Sequence, residues 1–254
     1  MTEQHPSMPS VVILGAASEI ARAMADEFAR KGYALALAGR NLGELEVLAG
    51  DLRIRHQRPC HVLPFDAENP DSHAGFVDAC TAAFGALPDG VVVCFGFLPD
   101  QAAAQRDFAL AKKCLDVNYA GAMSVLERFA GEMEPRRWGF LAAVSSVAGD
   151  RGRKSNYHYG AAKAALTTYL EGLRHRLHAS GVRVTTLKPG FVDTRMSFGM
   201  KVPGPLLTSA EKAGRLCARA ILRGRGTAYV PEYWRLILLV IRHLPEFIFK
   251  KTNL

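Results

Sequence analysis

Short runs of consecutive apolar residues alternate along the chain with longer segments whose apolar positions recur every three or four residues. VVIL at Val11–Leu14 is followed by EIARAMADEFARKG and then by YALALA at Tyr33–Ala38. The continuous apolar runs predict buried strands, and the helical period predicts amphipathic helices between them. The alternation continues with a helix over Leu42–His56, a strand at Cys60–Phe65, a helix over Ser72–Phe84 and the run VVVCFG at Val91–Gly96. A long helical region over Gln101–Met133 and a strand at Phe140–Ser145 come next. The pattern then predicts a helix from Asn156 to Ala179, a strand at Val182–Pro189, a helix over Ser209–Arg223 and a last short strand at Thr227–Val230.

Strands apolar on both faces and separated by helices imply a parallel sheet, because parallel neighbours need long crossover connections. The expected fold is a single-domain α/β, doubly wound parallel sheet of the Rossmann type, with about seven strands and helices on both faces. In such sheets ligands bind beyond the carboxyl ends of the strands, which directs attention to the loop after each one. Residues 1–9 read as a flexible tail, 10–230 as the domain with a substrate loop at 194–210, and 231–254 as a basic amphipathic extension.

Composition adds a charge bias: 32 Lys+Arg against 24 Asp+Glu give a net charge of +8, which favours an anionic partner. No basic stripe interleaved with aromatics occupies one element, so nucleic acid is not expected. The five cysteines are scattered without a CxxC pair or a Cys/His cluster, which gives no support for a metal site or a disulfide framework. The polar start MTEQHPSMPS lacks the features of a signal peptide, and LILLVI at Leu236–Ile241 is too short to span a bilayer. A cytoplasmic protein is expected, with contact at the inner face of the membrane as an option.

The loop after the first strand, GAASEIARA, opens a helix whose free N–H groups and dipole suit a pyrophosphate. An ordinary small-residue turn is the other reading of that segment. At the end of the second strand, Gly39-Arg40-Asn41 places a guanidinium where an acidic residue grips the ribose of NAD. Arg40 therefore suits a 2′-phosphate, and NADP rather than NAD, unless it is a solvated surface residue. Asp66, after the third strand, either accepts a hydrogen bond from an adenine amino group or caps a turn.

Proton-moving groups concentrate in NYHYGAAK at Asn156–Lys163. Tyr159 and Lys163 are four apart on a helix and share a face, whereas Tyr157 and Lys163 do not. A phenol with a pKa near ~10 is a poor acid at neutral pH, and an ammonium one turn away favours its anion. Together GAASEIA, DVNYAGA, SSVAG, YGAAK and KPGFVDT resemble, in order and spacing, the short-chain dehydrogenase/reductase family over nearly the whole chain. That resemblance implies an NAD(P)-dependent oxidoreductase in which Ser146, 13 positions before Tyr159, polarises a substrate carbonyl. It makes Tyr159 the proton donor, Lys163 the group that binds the nicotinamide ribose and acidifies the tyrosine, and Asn118 the holder of a relay water. It also places Gly15, Ala17, Ser18, Glu19, Ile20, Gly39, Arg40, Asp66 and Gly96 along the cofactor. Pro189, Gly190, Val192 and Thr194 fall beside the nicotinamide. Homodimers or homotetramers are implied for the same reason.

Two departures from the family pattern stand out. Two glycines of the usual TGxxxGxG are replaced in Leu14–Ala21, so Glu19 must be turned outward or cap the helix. The usual NNAG is Val93-Cys94-Phe95-Gly96. The tail PEYWRLILLVIRHLPEFIFKKTNL mixes aliphatic and aromatic residues with basic ones, as an interfacial helix does, or else packs on the pocket or a partner subunit. With CFGFLPD, DRGRKSNYHYGAAK and VDTRMS it resembles the decaprenylphosphoryl-2-keto-ribose reductase branch. That resemblance implies a lipid-linked keto-sugar substrate. Arg151, Arg153 and Lys154 would then lie near a substrate phosphate, or else are solvated loop residues. A general reductase of soluble ketones, steroids or acyl thioesters is the alternative enzyme, and a non-catalytic dinucleotide-binding protein is the alternative from another class.

Overall fold

The computed structural model describes residues 8–199 and 203–252. Most of the tail expected over residues 1–9 therefore lies outside the described residues, as do 200–202 of the 194–210 loop and the last two residues of the extension. Strands β1 (Ser10–Leu14), β2 (Ala34–Gly39), β3 (Cys60–Pro64), β4 (Gly90–Val93), β5 (Phe140–Val144), β6 (Arg183–Pro189) and β9 (Thr227–Val230) form one sheet. Its order is β3-β2-β1-β4-β5-β6-β9, and every pairing is parallel. The strand order reverses between β1 and β4, which opens a crevice beyond Leu14 and Val93.

Two apolar layers cover the sheet because its strands carry side chains alternately to each face. Helices α1 (Glu19–Arg30), α2 (Leu42–His56) and α8 (Ala210–Leu222) bury Met24, Phe28, Leu45, Leu52, Cys217 and Ile221 against Val11, Ile13, Leu35 and Leu37. On the opposite face α3 (His73–Phe84), α6 (Gly121–Arg136) and α7 (Tyr157–Leu177) bury Phe76, Phe129, Met133, Leu166 and Leu170 against Val12, Leu14, Val91 and Leu141.

The long helix expected over Gln101–Met133 is broken. It divides into α4 (Gln101–Arg106), α5 (Phe108–Leu115), a wide π turn over Asp116–Ala120, and α6. Asp107 leaves the helix at φ −126°, and its carboxylate accepts hydrogen bonds from the N–H groups of Ala109 and Leu110, which starts α5 afresh. The π turn is closed by the Gly121 N–H on the Asp116 carbonyl, five residues back. Asn118 sits inside it. A short parallel ribbon of β7 (Val192–Asp193) with β8 (Thr208–Ser209) was not expected, since two-residue strands leave no periodicity to read.

The extension folds into α9 (Trp234–His243) and α10 (Glu246–Phe249). Trp234, Leu238 and Ile241 form a third apolar cluster with Val147, the residue after Ser146. The opposite side of these helices leaves Leu236, Leu239, Val240, Phe247 and Ile248 exposed.

Candidate active site

At the reversal point β1 is followed by Gly15, which turns the chain at φ +76°. A Cβ at Gly15 would lie 2.5 Å from the Phe95 backbone nitrogen, so both the turn and the close approach of the β4 loop require glycine. Ser18 caps α1 by accepting from the Ala21 N–H at 3.3 Å, and Glu19 follows as the first helical residue. Arg195 meets the Glu19 carboxylate at 3.0 Å through Nε, and its backbone N–H also donates to it. Burial raises the Glu19 pKa, but hydrogen bonds and the Arg195 charge outweigh it and hold the group below its ordinary value. The expected outward turn of Glu19 thus takes the form of an ion pair. Nothing in the sequence identifies a partner 176 positions away.

A cavity of about 450 Å³ lies beyond these strand ends, lined by Ala17, Ser18, Glu19, Ile20, Arg40, Gly96, Ser146, Tyr159, Lys163, Pro189, Gly190, Val192 and Thr194, among others. A second hollow of about 250 Å³ takes in Gly15, Gly39, Arg40, Asp66 and Lys113. The two share Ala17, Arg40, Phe95 and Gly96 and so continue into one another. Every cofactor position expected from the sequence borders one of them. Arg40 is largely exposed and reaches Glu68 at 3.6 Å. Asp66 accepts from the Glu68 N–H at 3.0 Å through its carboxylate, the turn-capping arrangement, while its backbone carbonyl bonds His73 Nε2 at 3.0 Å.

The two serines at the end of β5 have different tasks. Ser145 Oγ donates to the Lys163 carbonyl at 2.9 Å and contacts Thr167 Oγ1 at 2.8 Å, pinning β5 to α7. Ser146 faces the cavity, where its Oγ accepts the Ala148 N–H at 3.0 Å. Gly160 lets the loop after Ser146 press on α7, since a Cβ there would stand 2.9 Å from the Ala148 carbonyl oxygen. That contact brings Ser146 and Tyr159 to the same wall.

Burial dominates the electrostatics of this wall. It pushes the Tyr159 phenol up to about 12, with the Ser146 hydroxyl beside it acting in the opposite direction. Burial also pulls the Lys163 ammonium down to about 8. Its Nζ lies 5.7 Å from the Tyr159 ring centroid and donates to the Val144 carbonyl at 2.8 Å. Desolvation decides both values, and the ammonium is turned toward β5. Asn118 is buried behind the cavity, its Nδ2 donating to the carbonyls of Phe97 at 2.6 Å and Cys114 at 2.8 Å, and its Oδ1 accepting from the Phe97 N–H. Tyr157 is exposed and packs on His158, whose Nδ1 contacts the Gln101 amide at 2.7 Å. Neither lines the cavity.

The remaining basic residues of the loop separate. Arg151 is neither at a substrate position nor solvated: it donates to the carbonyls of Ile241 and Leu244, each at 2.6 Å, and stacks on Phe249 at 3.8 Å. It closes the carboxyl end of α9 and ties the extension to the Ser146 loop. Asp150 pairs with Lys188 at 2.7 Å, both nearly inaccessible, and accepts from the Tyr229 hydroxyl at 2.7 Å. That cluster joins the Ser146 loop to the start of the Pro189-Gly190 turn. Arg153 and Asn156 line the cavity itself. No sequence signal ranked them above their neighbours.

Comparison with known proteins follows the same lines. The family model described as short chain dehydrogenase matches residues 9–201. An uncharacterized oxidoreductase of Mycobacterium tuberculosis is 36% identical over 241 residues, covering 95% of this chain and 96% of that one. An uncharacterized oxidoreductase of Myxococcus xanthus is 31% identical over 230 residues, covering 91% and 89%. Among solved structures, a short-chain dehydrogenase from Sphingobium yanoikuyae in complex with NADPH superposes with a TM-score of 0.81 at 20% identity, over 94% of this chain and 97% of that one. At that identity the likeness speaks for the fold.

Proposed function

This chain belongs to the short-chain dehydrogenase/reductase family of oxidoreductases, and from that premise we propose that it is an NADPH-dependent reductase that converts a carbonyl of its substrate into an alcohol. The observation that carries the reading is a single cavity lined jointly by Ser146, Tyr159 and Lys163 and opening onto the amino end of α1. The residues present fit a dinucleotide. The free N–H groups at the start of α1 suit a pyrophosphate, and Arg40 stands at the end of β2 where a 2′-phosphate would lie.

When bound, the cofactor supplies the hydride. Ser146 donates a hydrogen bond to the carbonyl oxygen and sets its position. Tyr159 holds its proton at neutral pH, the state reduction requires, and gives it to the same oxygen as charge develops there. Lys163 stabilises the phenolate that results, and Asn118, buried beside Phe97 and Cys114, fixes the π turn through which a water would pass the replacement proton.

The substrate we favour is a keto-sugar carried on a polyprenyl phosphate, as in the decaprenylphosphoryl-2-keto-ribose reductase branch. The branch-like segments and the extension support it: exposed Leu236, Leu239, Val240, Phe247 and Ile248 are flanked by exposed Arg235, Arg242, Lys250 and Lys251. Such a face suits peripheral contact with an anionic membrane. No helix among the described residues is long and apolar enough to cross one. A homodimer or homotetramer at the cytoplasmic face completes the reading. Reduction of the lipid-linked keto-sugar with NADPH, and loss of co-sedimentation with anionic vesicles on removing residues 231–254, are expected. Tighter binding of NADH than NADPH, or equal activity on the lipid-linked and a simple soluble ketone, would overturn it.

A further inference from the structure

Among the described residues four cationic side chains line the cavity, and three of them already have partners. Arg40 meets Glu68 at 3.6 Å, Arg195 meets Glu19 at 3.0 Å, and Lys163 donates to the Val144 carbonyl at 2.8 Å. Arg153 is half-buried on the wall that carries Ser146 and Tyr159, and among the described residues its guanidinium makes no hydrogen bond or ion pair. The nearest acid on its loop, Asp150, is committed to Lys188 and Tyr229. A guanidinium carries five N–H donors, and taking them out of water without acceptors is unfavourable.

Asn156 lies on the same turn, its backbone N–H donating to the Arg153 carbonyl at 3.1 Å, and it too lines the cavity. It occupies the cap position of α7, where an asparagine side chain ordinarily accepts from the helix, yet it makes no capping bond and its buried Oδ1 has no partner. One short segment thus sets a lone cation, and an asparagine whose amide oxygen is buried without a partner, on the wall of a cavity whose lining is otherwise largely apolar.

We propose that Arg153 and Asn156 form an anion-and-hydroxyl subsite for the substrate: Arg153 pairs with a phosphate or carboxylate oxygen, and the Asn156 amide takes a hydroxyl of the same molecule. The substrate class is a hydroxylated carbonyl compound bearing an acidic group. This rests on the reductase reading of the same cavity.

The test uses the full chain with saturating NADPH and three small probes: dihydroxyacetone phosphate, hydroxypyruvate and neutral dihydroxyacetone. The expected result is that Arg153→Gln lowers the kcat/KM ratio of the anionic over the neutral probe by about ten-fold or more, the range of a lost charge-assisted hydrogen bond, while NADPH affinity is retained. Arg153→Lys recovers part of the ratio, and Asn156→Ala raises KM for all three. Whichever anionic probe loses more identifies phosphate or carboxylate as the preferred group. An unchanged ratio, or weakened NADPH binding with the ratio intact, would overturn the proposal. If no probe is reduced, the reductase reading is judged on the lipid-linked keto-sugar, and calorimetric binding of dihydroxyacetone phosphate to wild type and Arg153→Gln still decides the subsite. Loss of binding in the variant upholds it, and equal binding or none to wild type overturns it.

Discussion

Lys163→Met should make the protein more stable and less active at once. Lys163 is 2% exposed, and its ammonium titrates at about 8 in place of an ordinary 10.5, almost wholly because burial disfavours the charge. At roughly 1.4 kcal/mol per unit, that displacement corresponds to roughly 3 kcal/mol of charge burial borne by the folded state at neutral pH. Methionine fills a similar volume without the charge, and losing the charge-assisted bond to the Val144 carbonyl returns about 2 kcal/mol, so the net gain is about 1 kcal/mol. For a chain of this size it appears as a rise in Tm of roughly 2–4 °C. The sign with pH follows from proton counting. Below pH 8 the lysine is charged in both states and the cost is fully present. Between about 8 and 10.5 the unfolded chain binds more protons, so wild-type stability rises with pH and the advantage of the variant shrinks. Urea unfolding of both proteins without cofactor, followed by circular dichroism at pH 7 and at a pH near the upper end of that window, measures the difference directly. A variant that is no more stable at pH 7, or whose advantage is unchanged at the higher pH, would refute the assignment of a buried, charged lysine.

Replacing Asp150 by Asn leaves Lys188 charged and enclosed without its partner, and should cost about 3–5 kcal/mol in the same urea experiment. Gly190→Ala would place a methyl group 1.9 Å from the Trp234 indole nitrogen, so the extension must shift. Quenching of tryptophan emission by acrylamide should increase. Arg151→Ala removes the donors that close α9, and trypsin should cut within residues 242–251 faster than in wild type while β-sheet content is unaffected. Arg40→Ala should reduce the preference for NADPH over NADH by about ten-fold or more, read from the two kcat/KM values, because a 2′-phosphate would lose its guanidinium.

Most of the sheet and the grouping of Ser146, Tyr159 and Lys163 around one cavity were legible because they depend on local signals. Continuous apolar runs such as VVIL and ALALA are buried on both sides, and their spacing with periodic helices leaves few topologies open. The i, i+4 relation of Tyr159 to Lys163 needs only a helix, and the structure supplies one. What escaped depends on long-range or side-chain geometry. The break at Asp107 turned on one residue able to cap the next helix, inside a stretch whose alanines and leucines favour continuity. Arg195 reaching Glu19, Arg151 reaching α9 and Lys188 reaching Asp150 join residues far apart in sequence. Of three basic residues within four positions, the fold sends Arg151 to the extension and Arg153 to the cavity, a division no composition or spacing encodes. Family spacing separates the neighbouring serines, and in the structure Ser145 bonds to α7 while Ser146 lines the cavity, a difference of side-chain direction that sequence alone does not display.

The central claim is that Tyr159 is the proton donor of a nicotinamide-dependent carbonyl reduction, and comparing wild type with Tyr159→Phe tests it most directly. The measurement is single-turnover loss of reduced-nicotinamide absorbance after mixing NADPH-loaded protein with the carbonyl substrate. The account predicts retained NADPH binding and a rate reduced by about a hundred- to ten-thousand-fold, the range associated with removing a general acid. A Tyr159→Phe protein that turns over at the wild-type rate would contradict it.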